Sequence, residues 1–135
     1  MIMDRTSSPT IKPNFRTIEN IHNCKRYVCH HLFQLAAICP VTCSPDFYTI
    51  KLFYEPQNKL VEIKSFNHYL SGYKYIKLYS EDVANQILDD FVEFVNPRWA
   101  FLDLKANVRR GIYTNIRRYW GQNQGDDIER AVKGM

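Results

Sequence analysis

SEDVANQILDDFVEFVNP, residues 80–97, is the stretch on which the fold turns. Val83, Ala84, Ile87, Leu88, Phe91, Val92 and Val95 recur at helical spacing, which predicts an amphipathic helix with one apolar face. Ser80 is the expected N-cap, Glu81 and Asp82 suit the first turn, and Asn96-Pro97 stops the helix. The flanking pattern has a different period. Upstream, Tyr48, Ile50, Leu52 and Tyr54 fall on one face within residues 46–55, which reads as a strand with both faces partly covered. Pro56-Gln57-Asn58 reads as a turn and residues 59–64 as a second short strand, so these two are expected to form a hairpin. Residues 26–37 mix aromatic, aliphatic and β-branched side chains and suit a strand leading to Cys39. A shorter helix is expected from Ser65 to about Tyr75, weakened by Gly72. Downstream, residues 99–104 and 108–119 read as two strands about a short turn. The order strand, strand, helix, helix, strand, strand argues for an α+β fold, an antiparallel sheet with both helices on one face.

The chain has 135 residues, enough for one domain with a single core. Residues 1–20 are expected to form a flexible or loosely docked arm, 21–120 the domain, and 121–135 a polar tail with one helical turn near 127–132. An open sheet leaves two edges to be paired or covered, and closing several sheets into one ring would do so, which predicts a homo-oligomer. Residues 1–14 are polar, with Pro9 and Pro13, and lack the apolar segment of a signal peptide. No apolar run approaches the ~20 residues of a membrane helix, so the cytoplasm is the expected location. Eighteen Lys plus Arg against fourteen Asp plus Glu gives +4, too mild an excess to predict nucleic-acid binding by itself. Arg109, Arg110, Arg117 and Arg118 are either a solvated strand edge or an anion site.

The cysteines fall at 24, 29, 39 and 43. Their spacing does not match the tight Cys-x-x-Cys pattern, and Cys29-His30-His31 on a strand would point to alternate faces, so no metal site is expected. What remains is a free thiol with a role, or plain buried cysteines. Cys39 is followed at once by Pro40, and Asp46 lies seven residues on. An ionised carboxylate raises a thiol's pKa, so Asp46 is a poor activator of Cys39. It makes better sense as a proton donor kept partly protonated by burial. On residue chemistry alone, a buried structural cysteine is the stronger reading of Cys39.

Two segments alter that weighting, CPVTCSPD at 39–46 and EIKSFNHY at 62–69. Together they resemble the nitrile reductases that act on 7-cyano-7-deazaguanine (preQ0), members of the tunnelling-fold superfamily alongside GTP cyclohydrolase. The resemblance runs from about Cys39 to Ile116, through Ser80-Glu81, Asn96-Pro97-Arg98 and Arg109-Arg110-Gly111-Ile112. It implies a tunnelling fold of order ββααββ, ring-forming, with active sites at subunit interfaces. It implies a Cys39 thioimide, proton delivery by Asp46, and two hydrides from NADPH that yield an aminomethyl product for queuosine synthesis. Val61, Glu62, Ile63, Ser80 and Glu81 would hold the deazapurine substrate, Glu81 by accepting from its ring donors. Lys64 and Arg109 would hold NADPH phosphates.

The match has departures. Asn67 stands where the family usually has lysine, Ser80 where a histidine often precedes the glutamate, and Arg110 and Cys43 where it has glycine. Cys43 is either inert or a disulfide partner for Cys39, within the geometric limits of so short a loop. These differences keep two further readings open. One is a related amidinotransferase that adds ammonia to preQ0 already in tRNA; the other is a non-catalytic deazapurine-binding module.

Overall fold

Alternation through residues 45–55 builds the strand at the centre of the fold. The structure, a computed structural model, describes residues 8–121 and Lys133. In chain order it contains β1 (Thr17–Glu19), β2 (Cys29–Ile38), β3 (Pro45–Glu55), β4 (Lys59–Val61), α1 (Ile63–Ser71), a 3₁₀ turn (Gly72–Tyr75), α2 (Ser80–Val95), β5 (Trp99–Arg109) and β6 (Ile112–Gly121). Strands β2, β3, β5 and β6 form one antiparallel sheet in that spatial order. The α+β class and the antiparallel sheet therefore agree with the sequence pattern. The tail's expected helical turn near 127–132 lies outside the described residues.

The expected hairpin between β3 and β4 does not form. β4 pairs instead with β1, Thr17 opposite Val61. The reason is edge occupancy. β2 takes one edge of β3 along its whole length and β5 takes the other, so β4 finds no free hydrogen-bonding edge there. The stretch expected as an arm supplies β1, and Phe15 just before it is buried against the rings of Phe66, Tyr69 and Phe94.

Both helices cover one face of the sheet. Phe66, Tyr69 and Leu70 of α1, and Val83, Ile87, Leu88 and Phe91 of α2, pack on the inner row Tyr48, Ile50, Leu52 and Tyr54 of β3 and on Leu102 and Leu104 of β5. The first helix is shorter than expected. It ends at Ser71 and tightens into the 3₁₀ turn, where Gly72 allows close approach: a Cβ there would meet Ile11 at 3.3 Å. Asn96 closes α2 with a left-handed φ of 50°, as the Asn-Pro signal required. On the opposite face Phe53, Trp99 and Phe101 form a smaller cluster, with His30 stacked on Phe53 and Tyr119 on Phe101.

The turn between the last two strands also falls later than expected, at Arg110 and Gly111. Both have positive φ, 53° and 78°, as a two-residue hairpin turn of the primed type demands. β5 thus runs on to Arg109, which carries that side chain back to the start of β3.

Phe91→Ala should cost roughly 3–5 kcal/mol, the range for emptying an aromatic core site. Ile21→Ala, at a side chain 76% exposed, should change stability by less than about 0.5 kcal/mol. Urea denaturation of the full chain measures both.

Candidate active site

Six residues, 39–44, connect β2 to β3, and their hydrogen bonds fold them into a closed loop. The Cys39 amide donates to the Ser44 carbonyl and the Cys43 amide to the Cys39 carbonyl, each at 2.9 Å. Cys43 sits at φ 60°, a left-handed conformation that costs a non-glycine residue energy. All four cysteines are free thiols. The Cys39 sulfur accepts from the Thr42 amide at 3.5 Å, and the Thr42 and Ser44 hydroxyls are 2.8 Å apart. Thr42 holds the Cys39 thiol below its ordinary pKa, first through its side chain and then through its amide, with help from the Val41 amide; partial burial and the Asp46 charge push the other way. The sign expected for Asp46 is therefore present, and Thr42 outweighs it. Thr42 belongs to the 39–46 motif, but its hold on the thiol is visible only in the folded loop between Pro40 and Pro45.

Asp46 is not isolated by burial, as its expected proton-donor role assumed. Its side chain is 24% exposed and ion-paired with Arg109 at 2.6 Å. The same guanidinium donates to the Pro45 carbonyl at 2.8 Å and the Ser44 hydroxyl at 3.0 Å, so Arg109 clamps the far end of the Cys39 loop. The register of β3 on β5, with Tyr48 opposite Ala106, brings the two together.

Ser80 and Glu81 reach the same place by a different route. Ile38, the residue before Cys39, donates to the Ile76 carbonyl at 2.9 Å and accepts from the Leu78 amide at 3.1 Å. That parallel bridge lays residues 76–78 beside the loop, and α2 starts two residues later. Ser80 is the first helical residue and not the cap; Tyr79 holds the cap position without a side-chain bond. The Ser80 hydroxyl donates to the Glu81 carboxylate at 3.4 Å and shares a cleft with Tyr48. Asp46, Tyr48, Ser80, Asn107, Arg109 and Thr114 line a cleft of about 200 Å³. Tyr48, buried among these groups, has its phenol pKa pushed well above the ordinary value by desolvation, then by the charges of Asp46, Cys39 and Glu81. Period-two alternation from Asp46 would have placed Tyr48 on the same face as that carboxylate.

Val61, Glu62, Ile63 and Lys64 lie elsewhere in the protomer. The Val61 amide donates to the Tyr54 hydroxyl at 3.1 Å, so this group sits at the opposite end of β3 from Asp46. Eight strand residues span roughly 26 Å. Glu62 N-caps α1, accepting from the Lys64 and Ser65 amides at 2.6 and 3.1 Å, and pairs with Arg16 at 3.4 Å. Its pKa is lowered chiefly by the Lys64 amide. Lys64 and Asn67 are exposed on α1. Of the C-terminal arginines, Arg117 pairs with Asp103 at 3.6 Å and Arg118 with Asp89 at 2.6 Å, from opposite faces of β6. Among the described residues no cluster of three His, Cys, Asp or Glu suits a metal ion, and no helix is long and apolar enough to cross a membrane.

A family model described as QueF-like protein matches residues 45–124, a stretch that includes Asp46, Ser80, Glu81 and Arg109. A protein named NADPH-dependent 7-cyano-7-deazaguanine reductase from Prochlorococcus marinus (strain NATL2A) is 40% identical over 79 residues, 58% of this chain and 56% of that relative. One of the same name from another strain of that species is 36% identical over 109 residues, 81% of this chain and 74% of the relative. A third, from an Anaeromyxobacter species, is 35% identical over 119 residues, 88% of this chain and 90% of the relative. The crystal structure of an archaeosine synthase described as QueF-Like, in the apo form, superposes with a TM-score of 0.66 at 18% identity, covering 70% of this chain and 93% of that one. At that identity the likeness is one of fold.

The alkylation rate of the Cys39 peptide, followed by mass spectrometry against pH, reads the thiol's pKa. Thr42→Val should move the midpoint up, because a donor to the thiolate is lost. Asp46→Asn should move it down, because a repelling charge is lost.

Proposed function

Because the chain belongs to the QueF-like family, we propose that it reduces the nitrile of 7-cyano-7-deazaguanine to the aminomethyl group of 7-aminomethyl-7-deazaguanine, with NADPH, in queuosine synthesis. The observation that carries this reading is the Cys39 loop: a thiol with a lowered pKa that feels the Asp46 charge, entered from a strand end bridged to the segment that leads into Ser80 and Glu81. The Cys39 thiol gives its proton to Asp46, the thiolate adds to the nitrile carbon, the π pair moves to nitrogen, and Asp46 passes that same proton there, which leaves a thioimide with the Asp46 carboxylate restored. Thr42 stabilises the thiolate before attack. Glu81 accepts hydrogen bonds from the ring donors of the substrate, and Ser80 lies beside it. Bound NADPH supplies the hydride equivalents.

Lys64 and Arg109 have the charge that NADPH phosphates require. Their placement fits one cofactor only across two copies of the chain, since they lie at opposite ends of β3. Arg109 must also release at least Asp46 to meet a phosphate. The cleft supports the same view. About 200 Å³ is below the ~300–1,000 Å³ of ordinary small-molecule pockets, so a second wall is needed. In this reading β2 and β6, the outer strands of the sheet, pair between neighbours and close a tunnelling-fold ring. Val61, Glu62, Ile63 and Lys64 of one copy then complete the cleft of the next. Residues 21–120 would be the catalytic domain, and its free thiols suit the cytoplasm.

The full chain with preQ0 and NADPH should consume cofactor, and Cys39→Ala should abolish consumption. A covalent adduct at Cys39 without NADPH oxidation would sink the reductase in favour of an amidine-forming route. No adduct at all would leave only a binding module.

A further inference from the structure

Among the cleft's side chains that the proposed chemistry does not use, Tyr48 is the buried one with a polar tip. Tyr48 is 3% exposed, faces inward from β3, and stands between the two pieces of the site that the chain brings together. Its own strand carries Asp46, two residues before it on the same face. Ser80, at the start of α2, lines the same cleft, and burial, then the charges of Asp46, Cys39 and Glu81, push the Tyr48 phenol's pKa up. On β5 its partner is Ala106, a small residue that leaves the cleft open on that side, with Asn107 and Arg109 beyond. Tyr48 differs from the rest of its row: Ile50 and Leu52 are packed wholly in the core, while Tyr48 alone of the row lines the cleft.

We propose that Tyr48 is a substrate-positioning residue, whose phenol hydroxyl forms the floor of the cleft and hydrogen-bonds the heterocycle held against Glu81. The chemistry favours this use of a tyrosine. Burial and three acidic neighbours keep the phenol protonated, so it stays a neutral group able both to donate and to accept. A purine-like ring presents donors and acceptors on adjacent edge atoms. A carboxylate answers only the donors; a neutral hydroxyl beside it can answer an acceptor. The rigid ring of Tyr48, packed into the core at the start of β3's inner row, also fixes how deep the heterocycle sits and therefore where its substituent lies relative to Cys39.

This inference rests on the deazapurine reading of the site, and one experiment separates the two. The wild-type full chain and Tyr48→Phe are incubated with 7-cyano-7-deazaguanine without NADPH, and Cys39 adduct formation is followed by mass spectrometry against ligand concentration. Tyr48→Phe keeps the ring and removes only the hydroxyl. The half-saturating concentration should rise roughly 3- to 10-fold, the worth of one neutral hydrogen bond, with the maximal rate of adduct formation unchanged. An unchanged half-saturating concentration, with or without a lowered melting temperature, would make Tyr48 a packing residue and overturn the proposal. A fall in the maximal rate alone would overturn it too, by assigning Tyr48 to proton transfer. Failure of the wild type to form any adduct would remove the deazapurine reading and this one together.

Discussion

From Tyr48 to Tyr54 strand β3 has a partner on both edges, and the rest of the structure follows from that. β2 and β5 flank it there, while the helices cover its inner row of Tyr48, Ile50, Leu52 and Tyr54. A strand committed on both edges and one face is rigid, so whatever its two ends carry is held far apart. Its start carries Asp46 and is clamped by Arg109. Its end carries Glu55, buried and paired with Arg26 and Arg98, and Tyr54, whose hydroxyl receives the Val61 amide. The chain that leaves β3 cannot pair with it and is diverted to β1. That diversion puts Glu62 at the head of α1 and separates the two halves of the candidate site.

Local pattern carried most of the fold. Helix α2 was legible because its apolar spacing, acidic first turn and Asn-Pro stop all agreed, and β3 because its alternation was unbroken. What failed was non-local. The β3–β4 hairpin was a sound inference from a three-residue turn, but edge occupancy depends on strands far away in sequence. The β5–β6 turn falls later than the pattern suggests, because the residues that bear positive φ are Arg110 and Gly111. A left-handed arginine leaves little trace in a sequence.

The site divides in the same way. Cys39 and Asp46 were legible as a pair, and the antiparallel return of β5 explains why Arg109, 63 positions away, was assigned to a cofactor and not to Asp46. Tyr48 escaped notice because a tyrosine in a strand's inner row reads as core. The first residue of such a row lies at the edge of what the helices cover, and there a core residue becomes a wall of a cleft. The relevant variable is position along the strand, which composition cannot express.

The Cys39 loop resolves a conflict that the residues alone posed. A thiolate nucleophile needs donors nearby, whereas the same step needs an acid within reach of the nitrile nitrogen, and a bare carboxylate beside the thiol opposes its ionisation. The loop meets both needs by direction. Thr42 and the Val41 amide lie on the sulfur's side, inside the turn closed by Cys39 and Ser44. Asp46 lies past the end of the turn, on β3, with its charge paired to Arg109. Seen from the sulfur, an ion pair is a dipole, and its field falls off faster with distance than that of a lone charge. Arg109 therefore acts on Cys39 at second hand: it holds the Asp46 carboxylate in place to take up and pass on a proton, while muting the charge that opposes ionisation of the thiol.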